Sequence, residues 1–483
     1  MKLIELLKGI EVLRTEGSLD ISISGIHYDS RQVTPGSLFF CIEGYNVDGH
    51  DYAAMAVEKG AVAVLLRKDI QLPEGITKVF VSDTRKCMGF FSSNFYGNPT
   101  ENLILFGITG TNGKTTTTYM IKSILEQAGK KTGLIGTITN LIGERMIPAE
   151  HTTPESPDLQ KLLHEMVEEK VDAAVMEVSS HSLELSRVAG CKFQVGIFTN
   201  LTQDHLDFHG TLENYRNAKA KLFEQSKLAI INVDDESGRI ILGDLECPSF
   251  TYGIYKPADI FARDIEIMAE GVSFNLHILG GKISINLQIP GIFSVYNALA
   301  AASACYAAGV SLKDIQLGLE AIRGVSGRFE LLDTNTDYSV IIDYAHTPDG
   351  LKNILTTARD LTDGRLVTLF GCGGDRDSAK RPLMGEVCGE YSDFCIVTSD
   401  NPRNEEPTDI IKDILPGLNK TDCPYEVIVD RREAIRYALD NARPGDVIIL
   451  AGKGHETYQL LKGQTLPFDE KQIVAEILGR EKV

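Results

Sequence analysis

At 483 residues the chain is too long for one ordinary hydrophobic core, so about two to four domains are expected. Its 43% apolar and 24% charged residues are those of a soluble globular protein, and a formal net charge of -19 argues against nonspecific binding to nucleic acid or to an anionic membrane. Nine scattered cysteines with no C-x-x-C pair read as reduced thiols in a cytoplasmic protein, not as a disulfide or zinc framework.

The N-terminal MKLIELLKGIEVLR has the pattern of an amphipathic helix with charges inside it, unlike a signal peptide or an anchor. Strand-like pieces (SLDISISGIHYD, SLFFCIE, AVAVLL, TKVFVS) and a helix near residues 52–60 suggest a small α/β domain over residues 1–99. From residue 100 strands alternate with helices: ILFGIT, a helix toward Ala128, TGLIGTIT, a helix over residues 157–169, DAAVMEVSS and FQVGIFTNL. That alternation predicts a largely parallel sheet wrapped by helices. Residues 258–291 then alternate as an antiparallel patch appended to it, and an Ala-rich helix follows over 296–309. A second domain over 100–327 and a third over 328–483 result, the third carrying YSVIIDYAH, GRLVTLFGCGG, DFCIVTSDNPR, PYEVIVD and DVIILAGKG. The fold class is α/β, with a central P-loop-type parallel sheet.

Ile104 to Thr118 (ILFGITGTNGKTTTT) is the most informative run. A buried strand leads into Gly110, Thr111, Asn112, Gly113, Lys114, Thr115 and Thr116 at the start of a helix. Such a turn aims N–H groups and a helix dipole at an anion; Lys114 adds a charge and Thr115 a hydroxyl for Mg²⁺. The common P-loop glycine five residues before the Gly-Lys pair is here Ile108, so the loop is a shortened variant.

Glu177 closes the apolar run DAAVMEV, where a carboxylate needs a partner such as a metal. His205 lies in TNLTQDHLDFHG beside Asp204, Asp207 and His209, an oxygen- and imidazole-rich loop suited to Mg²⁺ or Mn²⁺. Lys219, in NYRNAKAKLFE, reads as a solvated helix lysine. Glycines and bases in GCGGDRDSAKR, with Asp400-Asn401-Pro402-Arg403 and Gly452 to Glu456, all follow apolar strands and belong at one sheet edge. Arginines there grip carboxylates, while Asp400 and Glu456 receive an ammonium, so the pocket fits a zwitterionic amino acid.

GTNGKTTT, MEVSSHSLELSRV, FTNLTQDHLDFHG, YNALAA, GRFE, DYAHTPD, GCGGDRD, KRPLMG, SDNPRNEEP and AGKGHETYQ, in this order, together with DSRQVTPGSLFFCIEG, resemble the Mur ligases of peptidoglycan synthesis. The resemblance covers nearly the whole chain and is strongest to the members that add diaminopimelate. It implies an N-terminal domain for the UDP end of the substrate, a central ATPase domain and a Rossmann-like C-terminal domain for the amino acid. ATP would convert the D-Glu γ-carboxylate of UDP-N-acetylmuramoyl-L-Ala-D-Glu to an acyl phosphate, which the amine of meso-2,6-diaminopimelate attacks.

By the same resemblance Lys114 meets the phosphates, and Thr115 with Glu177 binds one Mg²⁺. His205 joins a second Mg²⁺ with Lys219, which is N-carbamylated in relatives. Asn297, Arg328, Asp343 and His346 match positions that approach ATP. Ser30, Asn46, Thr152, Thr153, Ser179 and Arg187 match positions that hold the UDP-muramoyl dipeptide. Arg376, Asp400, Asn401, Pro402, Arg403, Gly452 and Glu456 match positions around the amino acid, and Arg403 is the expected discriminator against L-lysine. A cytoplasmic monomer that neither binds nucleic acid nor enters a membrane is expected. A lysine-adding ligase, a folylpolyglutamate synthase and a non-catalytic nucleotide-gated binding protein are the alternatives.

Overall fold

A computed structural model describes residues 1–44, 47–268 and 270–480. They form two compact units, one of Met1–Thr109, Lys130–Gly196 and Ala218–Ala229, the other of Gly110–Gly129, Ile197–Asn217 and Ile230–Val483. Both mix helices with mostly parallel strands, the α/β class expected. No helix among the described residues is long and apolar enough to cross a membrane, and all nine cysteines are free thiols.

In the first unit β1 (Arg14–Glu16), β2 (Gly25–His27), β3 (Ser37–Phe40), β4 (Ala61–Leu66) and β5 (Thr77–Phe80) form a sheet in the order β1-β5-β4-β3-β2. Only β1 runs antiparallel to its neighbour. Both faces of β3 and β4 are covered, so their residues alternate between two cores: Leu38, Phe40 and Leu65 in one, Phe39, Val64 and Leu66 in the other. The expected N-terminal helix is shorter than its pattern. Only Leu3–Leu6 is helical, the Leu3 and Ile4 N–H groups bond to Ile21 and Leu19 carbonyls, and Arg14–Glu16 is taken by the sheet edge. Pairing with distant strands outweighs local periodicity there.

The same unit holds β6 (Ile104–Thr109), β7 (Thr132–Ile135), β8 (Asn140–Ile142), β9 (Arg145–Ile147) and β10 (Ala173–Glu177), in the order β6-β10-β7-β8-β9. Strand β10 lies parallel to β6 and β7, with Glu177 opposite Ile108 at its carboxyl end. The helix Ser156–Glu168 occupies the expected span.

The second unit contains the helix Lys114–Gln127, which packs against helices Ile292–Ala307 and Leu312–Ala321. The strands β11 (Val195–Phe198) and β12 (Ala229–Asn232), which belong to this unit from Ile197 and Ile230 on, and β13 (Ser249–Gly253), β14 (Ile260–Met268), β15 (Gly271–Ile278) and β16 (Gly281–Leu287) lie side by side in that order. The pairs β14–β15 and β15–β16 are antiparallel, the patch read from the alternating sequence.

A further sheet comprises β17 (Glu330–Leu331), β18 (Ser339–Asp343), β19 (Leu366–Phe370), β20 (Phe394–Val397), β21 (Tyr425–Val427) and β22 (Val447–Ala451), ordered β17-β18-β22-β19-β20-β21. All neighbours are parallel except the short edge strand β17. The loops after β18, β19, β20 and β22 therefore leave one edge, where open parallel sheets bind ligands. The hairpin β23 (Tyr458–Leu461) and β24 (Gln464–Pro467) follows β22.

Candidate active site

Residues 110–113 join a buried strand end to the N-terminus of the helix Lys114–Gln127. The Lys114 ammonium folds back onto this loop, donating to the Gly110 and Thr111 carbonyls at 2.9 Å each. The loop is braced from outside: Asn112 N–H donates to Asn200 Oδ1 at 2.9 Å, Asn112 Nδ2 to Asp349 Oδ2 at 2.9 Å, and Thr199 Oγ1 to the Asn112 carbonyl at 2.7 Å. Gly113 has φ +85°, and a Cβ there would collide with Asn297 Oδ1. Gly113→Ala is expected to destabilise the protein by about 1–3 kcal/mol from backbone strain alone, read as a lower thermal midpoint.

Arg328 Nη2 donates to Thr115 Oγ1 at 3.0 Å, and its guanidinium carbon lies 4.6 Å from the Tyr344 ring centroid. Thr116, buried in the first helical turn, is the neighbour of Thr115. Asp343, at the end of β18, accepts from the Phe329 and Ala345 N–H groups at 2.6 Å each. Burial pushes its carboxyl up, opposed by Arg328 and these two N–H groups. Thus Asn297 and Arg328 reach the glycine loop and the helix it opens, and Asp343 anchors the segment that carries Arg328.

His205 heads the short helix Leu206–His209 with φ +54°. Its Nε2 lies 3.4 Å from Asp204 Oδ2, which is also 3.9 Å from His346 Nε2, and Lys380 Nζ stands 3.3 Å from Asp204 Oδ1. Burial works against the Asp204 charge, yet Lys380, His205 and His346 together hold this carboxyl below the usual range. His346 is lowered by burial and by Lys380, while Asp204 opposes both. Its Nδ1 meets the Tyr344 carbonyl at 2.8 Å. His209 stacks on Tyr215 at 4.9 Å, and the Tyr215 hydroxyl reaches Thr111 Oγ1 at 3.2 Å.

In the first unit Glu177 is 1% exposed. Its Oε1 accepts from the Thr137 N–H at 2.9 Å and its Oε2 from Thr137 Oγ1 at 3.1 Å. Thr137 Oγ1 also meets Thr152 Oγ1 at 3.1 Å. Thr153 Oγ1 donates to the Glu177 carbonyl at 2.8 Å and accepts from the Ser179 N–H at 3.1 Å, while Arg187 donates to the Thr153 carbonyl at 3.1 Å. Thr152, Thr153, Ser179 and Arg187 are therefore one network around the end of β10. Ser30 lies apart from it among the described residues, its hydroxyl 3.5 Å from Met55 Sδ. Asn46 lies outside the described residues. Lys219 departs from the solvated helix lysine expected: it is 1% exposed at the end of the helix Leu212–Ala220.

At the edge of the C-terminal sheet Arg403 has φ +52° and donates through Nη1 to the Gly374 carbonyl at 2.8 Å. The Gly374 N–H returns to the Asn401 carbonyl at 3.0 Å, which clips the loop after β19 to the loop after β20. Burial and the neighbouring Arg376 lower the Arg403 guanidinium, opposed by Asp400 and Glu456. Pro402 is buried between Asn401 and Arg403. Asn401 Nδ2 donates to Glu456 Oε2 at 2.8 Å. A Cβ on Gly452 would stand 3.0 Å from Asp400 Oδ2, so any side chain there presses on that carboxylate. The Asp400 Oδ1 atom is buried and accepts no hydrogen bond among the described residues.

Thr137, Thr199, Asn200, Tyr215, Asp349 and Lys380 stand in these clusters without an individual role from sequence reasoning; Thr199 and Asn200 lie inside FTNLTQDHLDFHG, Asp349 inside DYAHTPD, and Lys380 inside both GCGGDRDSAKR and KRPLMG.

The shortened glycine loop, the helix it opens and the parallel sheets define a P-loop-type α/β protein. Residues 108–305 match the Mur ligase middle domain, residues 327–454 the Mur ligase glutamate ligase domain, and residues 22–92 the Mur ligase family catalytic domain. The chain is 52% identical to the UDP-N-acetylmuramoyl-L-alanyl-D-glutamate--2,6-diaminopimelate ligase of Caldanaerobacter subterraneus subsp. tengcongensis, over 100% of both chains. It is 50% identical to the protein of the same name from Syntrophomonas wolfei subsp. wolfei, over 99% of both. A solved structure of a ligase of that name superposes with a TM-score of 0.70 at 31% identity, over 99% of each chain. The chain belongs to the Mur ligase family.

Proposed function

We propose that the chain is an ATP-dependent amide ligase that joins meso-2,6-diaminopimelate to the D-Glu γ-carboxylate of UDP-N-acetylmuramoyl-L-Ala-D-Glu in cytoplasmic peptidoglycan precursor synthesis. The observation that carries this reading is the cluster of Arg403, Asp400, Asn401 and Glu456 at a sheet edge, in a chain whose full length resembles ligases named for that substrate. Residues 1–99 are assigned to the UDP substrate, 100–327 to ATP and 328–483 to the amino acid. Activity as a monomer fits this division.

A carboxylate is a poor acceptor for an amine until one of its oxygens becomes a leaving group. Phosphorylation by ATP supplies that group, and the chain's part is to position the phosphates and neutralise their charge. Lys114 and the N–H groups of the loop hold the phosphates. Arg328, already on Thr115 Oγ1, adds a second cation at the loop. Thr115, Glu177, His205 and a carbamylated Lys219 are oxygen and imidazole donors of the kind that suits Mg²⁺. When bound, Mg²⁺ neutralises charge on the transferring phosphoryl group. Ser30, Asn46, Thr152, Thr153, Ser179 and Arg187 are assigned to the muramoyl dipeptide.

The free carboxylate of diaminopimelate is the feature L-lysine lacks, and the Arg403 fork matches it. Arg403→Ala is expected to raise the KM for diaminopimelate about 100-fold, from the ~2–5 kcal/mol lost when one partner of a buried charge pair is truncated, with the KM for ATP unmoved. Steady-state phosphate release with each substrate varied in turn measures this. Faster turnover of the unaltered enzyme with L-lysine than with meso-diaminopimelate would overturn the choice of amino acid.

A further inference from the structure

Lys453 has no part in the reading above, yet its side chain is 0% exposed. An ammonium is seldom taken from water without partners that compensate its charge. Here Nζ donates to Asn401 Oδ1 at 3.0 Å, to the Tyr458 carbonyl at 2.8 Å and to Glu456 Oε2 at 3.4 Å. Asp400 Oδ1 stands 3.4 Å away, and the Phe468 ring centroid 5.8 Å away. These partners come from the loop after β20, the turn after β22 and the first residue of β23, so one buried cation ties together the segments that form the pocket.

The partners are also the groups that would meet the amino acid. Burial and Asp400 push the Glu456 carboxyl up, and Lys453 and Asn401 oppose them. Among the described residues Arg403, Tyr458, Tyr344 and Cys372 also face Asp400, the first three facing Glu456 as well. Asp400 Oδ1 and Glu456 Oε2 each lie 3.4 Å from Lys453 Nζ, so one ammonium is the counter-charge of both carboxylates. The Asn401 amide is oriented by the same contact. Its Oδ1 accepts from Lys453 and from the Leu460 N–H at 3.0 Å, which leaves Nδ2 to Glu456.

We infer that Lys453 is a positioning residue for the incoming amino acid: its buried ammonium is the shared counter-charge that holds the Asp400 and Glu456 carboxylates in place and holds Asn401 in one orientation, so that both carboxylates can accept from the substrate's ammonium group. This rests on the proposal that the pocket takes diaminopimelate. Without the lysine the two carboxylates lose their shared counter-charge and the Asn401 amide is free to turn.

The test is steady-state kinetics of the full-length enzyme carrying Lys453→Met, alone and combined with Glu456→Gln, with Arg403→Ala as reference. Lys453→Met should raise the KM for diaminopimelate about 10- to 100-fold, the range produced by losing a supporting partner at a ligand site. The KM values for ATP and the UDP substrate should stay within about twofold. In the Glu456→Gln background the neutral amide needs no counter-charge, so the further loss from Lys453→Met should shrink to a few-fold. Additive losses, or equal changes in all three KM values, would overturn the inference. If Lys453→Met does not fold, Lys453→Gln keeps a donor without the charge and is read the same way. Failure of both to fold would mark Lys453 as purely structural and also overturn it. An Arg403→Ala enzyme with an unchanged diaminopimelate KM would instead remove the underlying proposal.

Discussion

Lys114→Ala is expected to lower the rate of phosphate release with all substrates present by about 10³-fold or more, at the upper end of what removal of one preorganised charge-stabilising group costs. The ammonium sits 2.9 Å from two loop carbonyls, on the first residue of the helix whose dipole favours an anion. Phosphoryl transfer asks little covalent chemistry of a protein, so a lost positive charge at the phosphates falls almost wholly on the barrier. The fold should survive. The two hydrogen bonds lost are local, each of a size that costs about 1.5–3 kcal/mol when the donor is charged. A circular dichroism spectrum matching the unaltered protein, with the thermal midpoint a few degrees lower, is the accompanying result. Normal turnover in this variant would contradict the phosphate role.

Lys219→Ala should also lose about 10³-fold in rate, the equivalent of several kcal/mol of metal-borne charge stabilisation, but its loss should be partly reversible. Reaction of a neutral amine with CO₂ replaces a cation by a carbamate anion, which turns a repelled neighbour of a metal into a ligand. At 1% exposure the side chain is enclosed, as such a ligand has to be. Removing it leaves a space the size of a short chain bearing a carboxylate. Acetate added to Lys219→Ala is therefore expected to restore part of the activity while having no effect on Lys114→Ala. The unaltered enzyme should gain activity with bicarbonate after degassing. Full activity of Lys219→Ala without any rescue would remove the carbamate.

Much of the molecule was legible locally. Runs such as AVAVLL and DVIILAGKG announce buried parallel strands because both faces are covered, and the phosphate loop is legible because strand, glycines, Lys and helix are contiguous. The antiparallel patch was readable from alternation, which β14 to β16 keep. Where the partner is distant, legibility ends. The opening helix pattern yields to the sheet edge at Arg14–Glu16, and the edge strand Glu330–Leu331 is paired only because β18 lies beside it.

The site divides along the same line. Residue types and their order in the chain determined the α/β class and the candidate chemistry: a phosphate loop, a carboxylate at a strand end, and arginines with acids at a sheet edge. Tertiary structure alone decided which charges meet. Asp204 and Lys380 pair across 176 positions, Arg328 reaches Thr115 across 213, and Lys453 finds Asn401 across 52. Lys219, solvated by its local pattern, is enclosed. Hydrophobic periodicity reports which face of an element is buried, whereas the neutralisation of a buried charge depends on groups brought from elsewhere in the fold, and no local pattern encodes them.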